Sequence, residues 1–178
     1  MHFKKDFSIY HHLSSTIIGA RPEIANVNAL GTDAEEALVN AFLVQMWDGL
    51  IHLRCTRHLE GNFREFFKSH RYPANLEAEE FDFIFGDGGL IDSEDVEDFN
   101  FNVGLFKDST VKLHESFDVC PDAFLGYFDK NKEDIFRNNM IRSVRIAAGL
   151  GNSQARYYTS NNEPLNNRLK IEQNHKKL

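Results

Sequence analysis

Apolar residues recur along this chain with two different periods, and the change from one to the other divides it. In Phe7–Ala20, Tyr10, Leu13 and Ile17 share one helical face, and Arg21 with Pro22 ends the run. Residues 27–30 form a short apolar strand that leads through Gly31, Thr32 and Asp33 into a helix whose face is Ala37, Leu38, Ala41 and Phe42. After a turn at 47–49, residues 50–55 (LIHLRC) alternate apolar and polar positions, the period of a half-buried strand. Thr56 is expected to cap the next helix, which carries Leu59, Phe63, Phe66 and Phe67. Helix, strand, helix, strand, helix implies parallel strands joined by right-handed crossovers.

From Pro73 onward the period is helical. Phe81, Phe83, Ile84 and Phe85 supply the first apolar set. Gly86, Gly88 and Gly89 (FGDGGL) then read as a tight turn, because their spacing fits neither phosphate-binding pattern and no lysine follows. Ser93 is expected to cap a helix with Val96, Phe99, Val103 and Phe106, and Pro121 opens another with Phe124 and Phe128. Residues 134–148 read as one more helix, built on Ile135, Met140, Ile141 and Val144 and stopped by Gly149 and Gly151. Residues 73–151 therefore read as an all-α unit inserted between 1–72 and a C-terminal segment, 152–178. In that segment ARYYTSNNEPLNNRLK passes from an irregular or extended stretch into a helix, with Asn161 or Asn162 as cap, Pro164 in the first turn, and Leu165 and Leu169 one turn apart.

Composition narrows the class. A chain of 178 residues, 42% hydrophobic and with sixteen phenylalanines, suits one domain, or one domain with an insertion, around a sizeable core. The net charge of −7 argues against a broadly basic protein that coats nucleic acid. It leaves room for a nucleic-acid enzyme, since carboxylates that hold metal ions count as negative until the ions arrive. Residues 76–99 are dense in acids and contain no Lys or Arg, a surface that repels phosphate. Arg137, Arg142 and Arg145 make the one local basic cluster of note, read as a solvated helix face. Cys55 and Cys120 make no disulfide framework and no N-x-S/T acceptor occurs, so an intracellular, reducing compartment is expected. No signal-peptide pattern opens the chain and no apolar run reaches membrane-spanning length, so no membrane partner is expected.

The candidate chemistry sits at element junctions. Asp33 stands where a strand ends and a helix begins, the position from which a carboxylate points into a ligand crevice of an open sheet; local sequence alone favours its reading as an N-cap, with Glu36 closing a capping box. Glu163 is likewise either a site acid or a helix-start acid that complements the dipole. Cys55 and His58 (CTRH) supply two ligands where zinc needs three or four, and nothing nearby orients the histidine toward a nucleophilic thiol. A buried strand-end cysteine and a polar first-turn histidine are the preferred account.

Taken together, GTDAEEAL at 31–38, LRCTRHLEGNF at 53–63 and YYTSNNEPLNNRLK at 157–170 resemble the core of a Mutator-like element (MULE) transposase in transposon-derived form. The resemblance implies a partial RNase H-like α/β core, about two parallel strands with flanking helices, carrying a large all-α insertion. In that family an Asp, Asp, Glu triad binds two divalent ions, Mg²⁺ or Mn²⁺, for cleavage and transfer of DNA strands at transposon ends, in the nucleus. Asp33 corresponds to the second Asp, Cys55 and His58 to the family's C-x-x-H pair, and Glu163 to the final Glu. The first Asp lies on a strand upstream of where this chain begins, so that strand is expected to be missing. Asp6, in a helical stretch, is no substitute. Pro164 stands where the family has a small hydroxyl residue. The alternative is a non-catalytic module that binds DNA, or a protein partner through the helical insertion.

Overall fold

In the computed structural model, the described residues are 7–33, 36–46, 48–151 and 156–158. The element order begins with α1 (Phe7–Ala20), a 3-10 turn (Pro22–Asn26), β1 (Ala29–Thr32), α2 (Glu36–Leu43), β2 (Ile51–Arg54) and α3 (Thr56–Ser69). It continues with α4 (Ala74–Phe85), a second 3-10 turn (Leu90–Asp92), α5 (Val96–Ser116), α6 (Asp122–Asn131), α7 (Glu133–Asn139) and α8 (Arg142–Ala147). β1 and β2 pair in parallel, with Ala29 opposite Ile51 and Thr32 opposite Arg54, and α2 makes the crossover. The protein is thus mixed α/β and mostly helical. None of its described helices is long and apolar enough to cross a membrane.

Phenylalanine fills the core. Leu59, Phe63 and Phe67 of α3 pack into one cluster with Ile84 and Phe85 of α4, Phe99, Val103 and Phe106 of α5, Phe124 and Phe128 of α6 and Phe136 of α7. Phe63 is central, edge-on to Phe85 at 5.6 Å and to Phe124 at 6.2 Å between ring centroids. Edge-to-face pairs add to the area these rings bury. Because the α3 face joins the helices that follow Pro73, the apolar core runs without a seam through Tyr72.

Several elements differ in detail from expectation. α1 keeps its predicted span, but Leu13 is exposed and the fully buried residue is Ser14. The Ser14 hydroxyl donates to the Ala41 carbonyl of α2 at 3.1 Å, so a small polar side chain makes the close contact. At α3, Cys55 is the N-cap, without a side-chain cap bond, and Thr56 is the first helical residue. Asp95, not Ser93, caps α5: its carboxylate accepts from the Glu97 and Asp98 amides at 2.9 and 3.0 Å. Ser93 instead accepts a bond from the Asn102 amide at 3.2 Å.

Residues 134–148 are two helices. After α7 the Arg142 and Ser143 amides leave the helical ladder and donate to the Ser93 and Glu94 carbonyls at 2.9 and 3.0 Å. Bonds to a distant segment thus replace helical ones at Arg142 and Ser143, with no glycine or proline to signal it. The break carries Arg145 inward, to 3% exposure, so its predicted solvated position is corrected. Its guanidinium donates to the Ile91 and Met140 carbonyls at 2.5 and 2.6 Å and to the Asp92 carboxylate at 3.1 Å. Arg137 is paired with Glu133 and Asp134, and Arg142 with Glu94, so these cations are locally neutralised.

Candidate functional site

Parallel pairing sends both strands out at the same end of the sheet, which is where ligands bind in open α/β folds. Asp33 follows β1 there and is exposed. Beside it the Cys55 amide donates to the Thr32 carbonyl at 2.9 Å, so the β2–α3 junction is fixed to the end of β1. Cys55 is 2% exposed and outside any disulfide, as expected of a strand-end cysteine, and His58 is half-buried in the first turn of α3.

A distant segment closes this end. The Thr56 amide donates to the Tyr157 carbonyl at 2.9 Å. The Tyr157 ring lies directly over Gly31, so close that a Cβ there would fall inside it. Gly31 is thus required by a close approach. Burial first, then the negative charge available to Cys55 and Asp33, pushes the Tyr157 hydroxyl pKa up, so it stays a neutral donor.

Arg54 and His52 form the other wall. They lie two residues apart on one face of β2. Burial lowers the Arg54 pKa, opposed by the neighbouring carboxylates of Glu36 and Asp33. His52 Nε2 meets the Thr32 hydroxyl at 2.8 Å. Burial, followed by the charge of Arg54, lowers the His52 pKa to about 4, so the ring is neutral at physiological pH. A groove of about 330 Å³ opens here, lined in part by Glu36, His52, Arg54 and Asn139. It continues as a more apolar groove of about 520 Å³ between β2 and the α7–α8 pair. Asn139 anchors that wall by donating to the His52 carbonyl at 3.0 Å.

Of the sequence-predicted residues, Asp33, Cys55 and His58 gather around the strand ends, while Glu163 lies outside the described residues, as do Asn161, Asn162, Pro164, Leu165 and Leu169. The capping-box reading of Asp33 and Glu36 involves residues 34–35, also outside them. For a hard cation the donor set is half right. Asp33 and Glu36 are carboxylates near the same strand end, whereas Cys55 offers buried sulfur and His58 nitrogen. Arg54 would compete with a cation for those carboxylates. Among the described residues no group of three or more His, Cys, Asp and Glu side chains is placed to hold a metal ion.

Sequence reading missed three participants here. His52 and Arg54 had a signal: the polar positions of LIHLRC lie on one face and reach the carboxyl end of the strand. Tyr157 had none, because nothing local pairs a tyrosine with a glycine so far upstream. No family model matches this chain, and neither does any curated protein or solved structure.

Proposed function

We propose that this chain is a transposase-derived, RNase H-like core with DNA ends as its substrate class, in which Asp33 and Glu163 are two of the metal-binding acids. One observation supports this best. The segment leading into Glu163 returns to the end of β1, where Tyr157 packs on Gly31 and pairs with Thr56 beside Asp33. A strand-end aspartate met by a late-chain segment is the topology that divalent-ion phosphodiester chemistry needs, because its carboxylates come from distant parts of the sequence.

When bound, the ions of such a centre activate the attacking oxygen and stabilise the leaving one. Two carboxylates hold a single hard cation weakly, with Kd on the order of millimolar. In its absence the Arg54 charge offsets part of the negative charge of Glu36 and Asp33. Incubating the protein with supercoiled DNA and Mg²⁺ or Mn²⁺ is accordingly expected to give no appreciable nicking. Robust nicking lost in Asp33→Ala would show that the acids of this chain suffice for the chemistry. Titration with Mn²⁺ is expected to broaden the amide resonances around Asp33 and Glu163 together, and to leave them sharp in Asp33→Asn. Broadening of neither would remove the metal site itself.

A second reading, a module that binds a protein partner through its helical region, is favoured by an aromatic on α5, Phe101, that is 67% exposed.

A further inference from the structure

The inner faces of α5 are occupied by the core through Phe99, Val103 and Phe106. Its outer face is not. Phe101 is 67% exposed and Leu105 53% exposed, one turn apart on the same stripe. Gly104 lies between them in the middle of a 21-residue helix, and a Cβ there would meet nothing within 4 Å. Glycine weakens a helix interior relative to alanine, so this one has no justification inside the chain. Gly61 and Gly126 are also open, but no strongly exposed apolar pair flanks either of them. What Gly104 does provide is a shallow notch between two apolar side chains, into which another backbone can approach closely.

Charge selects the occupant. Glu97, Asp108 and Glu115 stand exposed on the same stripe as Phe101, against one exposed lysine, Lys112. None of the three acids is in an ion pair among the described residues. A second copy would set these acids against one another, and a phosphate backbone would be repelled.

We propose that the outer face of α5 is a docking surface for a basic amphipathic helix of a partner protein, with Phe101 and Leu105 as apolar anchors, Gly104 as the point of closest approach, and the flanking acids taking lysines and arginines. The site is separate from the strand ends and does not depend on the metal chemistry proposed there.

The probe is a fluorescently labelled helical peptide of about 20 residues with leucines along one face and lysines and arginines beside them. Anisotropy is expected to show saturable binding that weakens with added salt. Combining Phe101→Ala with Leu105→Ala should weaken it by at least about tenfold, as expected for central anchors. Gly104→Ala should also weaken it while raising the melting temperature, a pair of opposite effects that a purely structural glycine would not give. The same peptide with glutamate at every basic position should not bind. The proposal is overturned by no binding of the basic peptide, by equal binding of the acidic one, or by affinity indifferent to all three substitutions. It is also overturned by concentration-dependent dimerisation that Phe101→Ala abolishes, which would assign the face to a second copy.

Discussion

The helical body and the strand–helix front of this molecule are built on different principles. In the body, α3 to α7 close on rings: six phenylalanines are completely removed from solvent. At the front, α1 buries a serine, β1 and β2 run for four residues each, and Phe7, Ile9 and Leu13 remain exposed. Polar groups meet at the strand ends: Thr32 against His52, Arg54 under the influence of two exposed acids, and the Tyr157 hydroxyl over a glycine. Apolar burial supplies stability in proportion to area, whereas polar groups in half-buried positions supply chemistry and little net stability. The body therefore acts as the scaffold, and the front carries the candidate site.

The sharpest way to break this contrast is to empty the body. Phe63→Ala or Phe124→Ala should cost about 3–5 kcal/mol in chemical denaturation, because each leaves a cavity among rings that cannot collapse. Leu13→Ala at the front should shift the same midpoint little, since the side chain is 44% exposed. A comparable loss from both would show that front and body share one level of stability.

The body also buries a polar pair in its core, and that pair gives the next largest effect. Glu80 and His114 are completely buried, with Oε1 and Nε2 at 3.1 Å, and Thr110 donates to the other Glu80 oxygen at 3.0 Å. The Tyr72 ring lies against His114, with 5.4 Å between ring centroids, and Phe124 stacks on it at 5.8 Å. Burial raises the Glu80 pKa to about 8 and lowers that of His114, so the folded pair holds one proton between the two residues across the neutral range. Glu80, raised above its unfolded value of 4.5, contributes stability that is full below 4.5 and lost as pH rises through 8. His114, lowered from 6.5, contributes stability that is present above 6.5 and lost as pH falls below it. The two effects oppose each other between 4.5 and 6.5, and only the Glu80 effect acts from 6.5 to 8. Unfolding free energy should therefore fall with rising pH over that upper window, by on the order of 1–2 kcal/mol. In Glu80→Gln the fall should be absent. A slope that persists in the variant would place its source elsewhere.

A smaller effect concerns how the front is closed. Gly31→Ala forces a methyl into the Tyr157 ring, with a cost of roughly 1–3 kcal/mol if the ring were to stay. The ring is expected to move away instead, so global stability changes little while the Thr56 amide, which donates to the Tyr157 carbonyl, loses hydrogen-exchange protection. Unchanged protection at Thr56 would mean that the contact does not hold the segment in place. Smallest of all is the difference within the wild-type chain. Amides in α1 should exchange through local openings, and those in the middle of α5 through global unfolding.

Legibility in the sequence followed the same division. The spacing of Phe63 and Phe67, of Phe99 with Val103 and Phe106, and of Phe124 with Phe128 declares helix faces, and each proved buried. The parallel pair followed from the alternation of elements, although β1 lies two residues later than its apolar run suggested. The inward turn of Arg145 was hidden because charge predicts exposure unless backbone carbonyls such as those of Ile91 and Met140 receive the guanidinium. The cap of α5 was ambiguous because SEDVED offers several acceptors, and only backbone direction selects Asp95. At the strand ends Asp33 and Cys55 were legible from the junctions they occupy, while Tyr157 depended on a long-range contact that no local pattern encodes.

That contact orders events in time. A chain leaving the ribosome presents Gly31 long before Tyr157 has been synthesised, so the tyrosine-sized space above β1 stays vacant throughout production of the helical body. The front is therefore closed late, by a loop spanning most of the polypeptide, and until then Gly31 leaves an uncovered notch at the end of β1.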